Sequence, residues 1–328
     1  MTDKFIFRYL IIASSLMMGI TSALAQQYPV FTQYYFNELV INPAYAGNHV
    51  QVSMTSTYRN QWVNFPGAPR TFSFSGHTAL NNGKVGVGLL VNHDEIGSYK
   101  NDNVYAYYAY RIAFKKAILS MGLSGGFNIL GVDYNLDLLN QGDLSFISVN
   151  TAKPNFGAGL FLNFKNSFVG LSVPFLINST LVTKVSDIGA QITEARYYFL
   201  RAGTYQPLNA KKTVKLNPSF LVRAQEGQPL AVDLNLGVVI HDVLSTGASW
   251  RIGDALIGFV DLKLSERFHF AYSYDLTGSD LNKFSNGSHE FMLNYRTRIR
   301  SVHKNVECPG YYGYGETKNV RFNPRKKR

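Results

Sequence analysis

The chain has 328 residues and is 46% hydrophobic and 14% aromatic but only 16% charged, well under the roughly 25% charged residues of soluble domains. Of its formal charge of +11, residues 299–328 carry +6 and residues 1–25 carry +1, which leaves +4 for the body. A basic tail on a nearly neutral body excludes a nucleic-acid-binding domain, and the single cysteine, Cys308, excludes an internal disulfide framework.

In chain order, Lys4 and Arg8 precede the apolar run Leu10 to Ile20, and Ala23-Leu24-Ala25 supplies small residues before Gln26. This is the pattern of a secretory signal peptide, residues 1–25, cleaved after Ala25. The apolar run is too short for a membrane anchor, which needs roughly 20 residues. No Cys follows the small residues, so a lipoprotein is not indicated. After Gln26 no run of 18 apolar residues occurs, which excludes a helical membrane protein.

The next stretch, residues 26–49, contains QYPVFTQYYFNELVINPAYAG and follows neither a strand period nor a sustained helical one. Beyond it the alternation is that of strands. In AVDLNLGVVI, Val232, Leu234, Leu236, Val238 and Ile240 oppose Ala231, Asp233, Asn235 and Gly237. In RFHFAYSYD, Phe268, Phe270, Tyr272 and Tyr274 oppose His269, Ala271, Ser273 and Asp275. Period two is the signature of a sheet with one apolar and one polar face. The pattern predicts fourteen strands, over 50–58, 70–78, 84–94, 103–114, 117–130, 155–164, 167–174, 196–206, 213–224, 230–240, 243–251, 255–263, 267–275 and 288–298. They average about ten residues, against five or six in globular proteins, and about ten tilted residues cross a bilayer.

The connections sort by parity. After even strands they are short: ALNNG, Lys115-Lys116, Lys165-Asn166, PLNAKK, His241-Asp242 and LSE. After odd strands they are mostly long: RNQWVNFPGAP, EIGSYKND, the stretches from Gly131 and from Phe175, and LTGSDLNKFSNG, with QEGQP and Gly253-Asp254 as exceptions. A soluble β-sandwich has no reason to sort its loops this way. A transmembrane outer-membrane β-barrel does, with short periplasmic turns and long outer loops. The expected fold is therefore all-β, a barrel of about 14 antiparallel strands over residues 50–298, with both termini periplasmic. Apolar faces then meet lipid, and Arg111, Lys215, Arg223, Asp233, Asp261, Glu290 and Arg296 line the interior, where mixed charge favours side-chain pairing over a selective filter.

A barrel of this size leaves a hole that side chains alone do not fill. Residues 26–49 are the only stretch between the signal peptide and the first strand, and their aromatics need burial. Tyr28, Phe31, Tyr34, Tyr35, Phe36 and Tyr45 are expected to be buried and Gln33, Asn37 and Asn42 to pair with a polar wall; Pro43, where the stretch breaks, and Gly47 complete the candidate plug or partner-binding residues. The expectation is a plug inside the barrel or a lining of its periplasmic mouth; a disordered leader does not suit such apolar content.

FTQYYFNELVINPAYAG followed by RNQWVNFPGAPRTFSFSGH resembles the start of the PorP/SprF family of the type IX secretion and gliding system of Bacteroidetes. FHFAYSYDLTGSDLNKFSNGSHEFMLNYR resembles the end of the family's barrel, and the Glu95 to Gly97 and Pro154 to Phe161 stretches fit as well. The resemblance implies an outer-membrane barrel that exports or attaches a surface protein carrying a C-terminal sorting domain, in contact with periplasmic components of the machine. The tail, residues 299–328, departs from the pattern.

No catalytic constellation is legible. His93-Asp94-Glu95 alternates faces along a strand, His241-Asp242 fills a turn, and GLSGG at 122–126 precedes no helix, so neither an enzyme nor a cofactor is expected. Gln61, Trp62, Gly67 and Pro69 form a candidate outer loop for a secreted partner, or a fixed proline turn that caps the barrel. Tyr311, Tyr312, Tyr314 and Arg325 in the tail are candidates for docking an acidic periplasmic partner, or a solvated end. The rival functional reading is a channel for small hydrophobic solutes.

Overall fold

The computed structural model describes residues 31–49, 51–132, 149–185, 188–194, 196–226, 228–278 and 283–297. The signal sequence, Gln26 to Val30, Cys308 and the tail residues Tyr311, Tyr312, Tyr314 and Arg325 lie outside them.

Seventeen strands follow one another: β1 (Val52–Asn60), β2 (Arg70–Leu80), β3 (Val85–Ile96), β4 (Tyr99–Ala113), β5 (Ala117–Val132), β6 (Val149–Phe164), β7 (Ser167–Val173), β8 (Ser179–Val185), β9 (Ile188–Glu194), β10 (Tyr197–Thr204), β11 (Gln206–Pro207), β12 (Val214–Gln225), β13 (Ala231–Ile240), β14 (Leu244–Arg251), β15 (Ala255–Lys263), β16 (Phe268–Thr277) and β17 (Ser288–Thr297). All but β8, β9 and the two-residue β11 close into one 14-stranded antiparallel barrel. β1 pairs with β17 at the seam, and β7 pairs with β10 across the β8–β9 insertion.

The barrel is inside out relative to a soluble domain. Along β1, Ser53, Thr55, Thr57 and Arg59 are buried while Met54 and Tyr58 face outward. The outer face carries Tyr108, Leu123, Phe156, Leu171, Leu236 and Trp250, each half-exposed. Burying every backbone donor in a closed ladder and presenting apolar side chains outward is what a bilayer demands of strands. Arg111, Lys215, Asp233, Asp261, Glu290 and Arg296 are buried within, with Arg223 partly so.

The connections follow the expected parity with two changes. EIGSYKND is not a long loop, because β3 and β4 run on to a tight turn at Gly97, where φ is +57°. The pairs Asp94↔Asn101 and Glu95↔Lys100 continue the ladder with polar residues. Apolar alternation ends where lipid ends, but backbone pairing does not, so the pattern understates strand length. The stretch from Phe175 likewise holds a hairpin, β8 with β9, rather than plain loop.

Candidate functional site: the segment inside the barrel

Residues 31–49 lie within the barrel and are buried throughout. Three short 3₁₀ turns, Gln33–Tyr35, Glu38–Val40 and Pro43–Tyr45, replace a regular helix. Pro43 enters at the first position of the third turn, and the Asn42 side chain caps it by accepting from Ala44 N at 2.9 Å. Such turns satisfy part of the backbone locally; the wall satisfies much of the rest.

At one end Thr32 N and Gln33 N donate to the two carboxylate oxygens of Glu290, at 2.8 and 2.9 Å. Gln33 Nε2 donates to the Glu290 carbonyl at 2.7 Å, and Thr32 Oγ1 donates to Asp275. Arg59 joins all three: its guanidinium donates to Thr32 Oγ1 at 2.9 Å, Glu290 Oε2 at 3.0 Å and Asp275 Oδ2 at 2.8 Å. Arg251 then bridges Asp275 and Asp233, and Arg223 also meets Asp233. Acids and guanidiniums alternate, so each buried charge has an opposite neighbour, which is what makes burial tolerable.

The segment then descends and passes round the wall. Tyr34 Oη hydrogen-bonds Asn235, and Tyr35 packs its ring on Phe259 with centroids 4.8 Å apart. Glu38 forms an ion pair with Arg201, whose guanidinium lies over the Phe168 ring at 4.9 Å. Asn37 reaches across to Ser75 Oγ at 2.9 Å. Ile41 O accepts from Ser172, Asn42 Nδ2 donates to Leu160 O, Ala44 O accepts from Ser120, and Ala46 O accepts from Arg111. Gly47, at φ +65°, donates its N–H to His77 Nδ1 at 3.1 Å. Tyr45 packs edge-on to Phe161, and His49 stacks on His77. The wall is shaped for this path: a side chain at Gly86 would overlap the Ala46 carbonyl, and one at Gly122 would overlap the Ala44 backbone.

Arg59, Asp275 and Glu290 stand one or two residues from the long-loop ends of β1, β16 and β17, whereas His77 and Gly86 stand near the short-turn ends of β2 and β3. The segment thus runs from the long-loop end at Thr32 to the short-turn end at Gly47. Parity had put both termini of the chain at the short-turn end. It fixes the sides of Val52 and Thr297, which do lie there, but it does not govern a chain that doubles back through the lumen, and Phe31 to Gln33 lie at the opposite end.

All nine segment residues singled out from sequence, Phe31, Gln33, Tyr34, Phe36, Asn37, Asn42, Pro43, Tyr45 and Gly47, are buried against the wall. Tyr35, also expected to need burial, is buried as well; sequence reasoning did not single out Thr32, Glu38, Arg59, Arg201, Asp275 and Phe259 for this site. One signal was available: Glu38 is the only acid in residues 26–49, and a lone acid in an apolar stretch calls for a buried cation. The outer loop is a separate site. There Gln61 N donates to Pro69 O, Trp62 N to Ser288 Oγ, and Gly97 N to Gly67 O, with Trp62 at φ +47°. Among the described residues no group of three or more His, Cys, Asp or Glu could hold a metal.

No curated protein matches the chain. Solved structures similar to it include the Acinetobacter baumannii outer membrane protein Omp33, at 9% identity and TM-score 0.43, covering 76% of this chain and 99% of that one. The deltaS2S3 mutant of the monoaromatic hydrocarbon channel TodX matches at 10% identity and TM-score 0.44, covering 80% and 94%. The translocator domain of the autotransporter NalP from Neisseria meningitidis matches at 12% and 0.41, covering 90% and 99%. A family model described as type IX secretion system membrane protein PorP/SprF matches residues 23–295. Those residues take in nearly all of the barrel and the whole lumen segment, and the chain belongs to the PorP/SprF family.

Proposed function

We propose that this chain is a non-enzymatic, plugged outer-membrane barrel that binds an exported surface protein carrying a C-terminal sorting domain and supports its secretion or surface attachment. The short turns and the end of β17 face the periplasm and its type IX secretion components; the long loops, with Gln61, Trp62, Gly67 and Pro69, face the cargo. Membership in a type IX secretion membrane protein family supports the setting. The observation that carries the choice of a scaffold is the segment fixed across the lumen by Arg59, Asp275 and Glu290. A solute path would have to expel residues whose charges are paired in the wall, at a cost of several kcal/mol. The rival is a channel for small hydrophobic solutes.

The test is gentle detergent extraction of the tagged protein from its own outer membrane, with mass spectrometry of what accompanies it, beside single-channel recording in planar bilayers. A dominant large surface protein with periplasmic components, and no steady conductance, is the expected result. The barrel alone after cross-linking, together with stable open-channel currents, would overturn the proposal in favour of the channel.

A further inference from the structure

The two ends of the barrel differ in charge. At the short-turn end, Lys84 between β2 and β3, Lys115 and Lys116 between β4 and β5, Lys165 between β6 and β7, Lys211 and Lys212 before β12, and Arg267 before β16 are all exposed. Lys215 is engaged by Asp242 and Lys263 by Glu266. Among the described residues none of the exposed seven is in an ion pair. At the long-loop end the exposed charges are mixed in sign, with Arg70 and Lys283 against Glu226 and Asp254.

Beside these cations stand exposed apolar side chains: Leu80 before Lys84, Phe114 before Lys115, Phe164 before Lys165, Leu208 before Lys211, and Leu264 before Arg267. An apolar residue at the edge of the hydrocarbon with a cation just beyond it matches the depth profile of a phospholipid leaflet. The pairing recurs at every short connection except that between β13 and β14. A folded protein seated on this end would meet an acid-complementary sector, not a ring of apolar–cationic pairs around the whole perimeter.

We infer that the short-turn rim is a headgroup-binding belt that selects anionic phospholipid in the leaflet it touches. The belt concentrates lipid phosphates around the barrel mouth and fixes the depth at which the turns sit.

Full-length protein in dodecyl maltoside, titrated with phosphatidylglycerol or phosphatidylcholine and read by native mass spectrometry, tests this. Phosphatidylglycerol is expected to bind at least about ten-fold more tightly. Each Lys→Gln change among Lys115, Lys116, Lys211 and Lys212 is expected to weaken it by up to about five-fold, and high salt to erase the preference. Arg70→Gln at the other end should change nothing. Equal binding of the two lipids would overturn the inference. Displacement of phosphatidylglycerol by millimolar inorganic phosphate would overturn it too, by reducing the belt to a simple anion site. Preferential binding of poly-glutamate would do the same by marking a protein-docking surface.

Discussion

Arg59 is where the barrel seam and the lumen segment meet, and its removal gives the sharpest test of how the segment is held. Its side chain is 2% exposed and touches carboxylates that are 3% and 0% exposed. Arg59→Met keeps most of the volume but withdraws the guanidinium from Thr32 Oγ1, Asp275 and Glu290 together. Two buried carboxylates then face each other, with Asp275 keeping Arg251 at 3.6 Å and Glu290 keeping the Thr32 and Gln33 N–H donors. Breaking a buried pair by removing one partner costs about 3–5 kcal/mol, and the residual partners put the expected loss near the lower end. The segment and the seam should loosen together. The assay is heat-modified mobility on detergent gels against temperature, with limited proteolysis scored by cleavage between Phe31 and Tyr45. Arg59→Met should lower the transition and expose the segment. Arg59→Met with Asp275→Asn and Glu290→Gln should recover part of the loss, because the uncompensated charges are gone. An Arg59→Met protein with an unchanged transition and a protected segment would refute the view that this network holds the segment.

Three smaller changes probe the rest of the path. Gly122→Val should displace the segment at Ala44 while leaving the outer face intact, and bilayer recordings should show conductance absent from the parent. Asn42→Ala removes both the cap on Ala44 N and the bond to Leu160 O and should cost about 1–2 kcal/mol by urea titration in detergent. Gly97→Val forces a β-branched residue to φ +57° in open space; a loss of about 1–2 kcal/mol confined to the β3–β4 tip is expected, visible as faster hydrogen exchange at Ile96 to Lys100 with an unchanged global transition.

Much of this fold was legible because a bilayer leaves a chain few choices. Alternation over ten residues in segments such as 231–240, and turns sorted by length, define the barrel from pattern alone. The lumen segment was legible as something buried, since Tyr34, Phe36 and Tyr45 have no period that would seat them in a sheet. Its partners were not. Asp275 and Glu290 are separated from Arg59 by 216 and 231 positions, and nothing local marks the three as one cluster. The inward aromatics Tyr105, Phe161, Phe168 and Phe259 were also hidden. They sit on the phase expected to be polar, and their partners are distant in sequence: Tyr35 faces Phe259, Tyr45 faces Phe161, Phe161 stacks on Phe168, and Phe175 packs on Tyr105. Strand length beyond the lipid was understated for the same reason in reverse, because Asp94 to Lys100 pair through backbone with no apolar phase to advertise it.

The geometry of the seam ties enclosure of the segment to closure of the barrel. Arg59 and Glu290 are direct partners in the β1–β17 ladder, so the ion pair between them forms only when the last strand meets the first. The same Glu290 receives Thr32 N and Gln33 N, which lie upstream of β1 and reach it from inside. The segment directly precedes β1 in the chain, so a sheet that grows from β1 with the segment on its inner side meets β17 last. Closing the seam around it requires no threading through a finished barrel, and the final backbone pairing and the final charge pairing complete one another. Weakening either should weaken both: Glu290→Gln, which keeps hydrogen-bonding capacity but removes charge, is expected to slow the last step of refolding into micelles and leave the early β-sheet signal unchanged. If the early phase slows instead, the charge cluster acts before closure and the coupling argued from the seam is wrong.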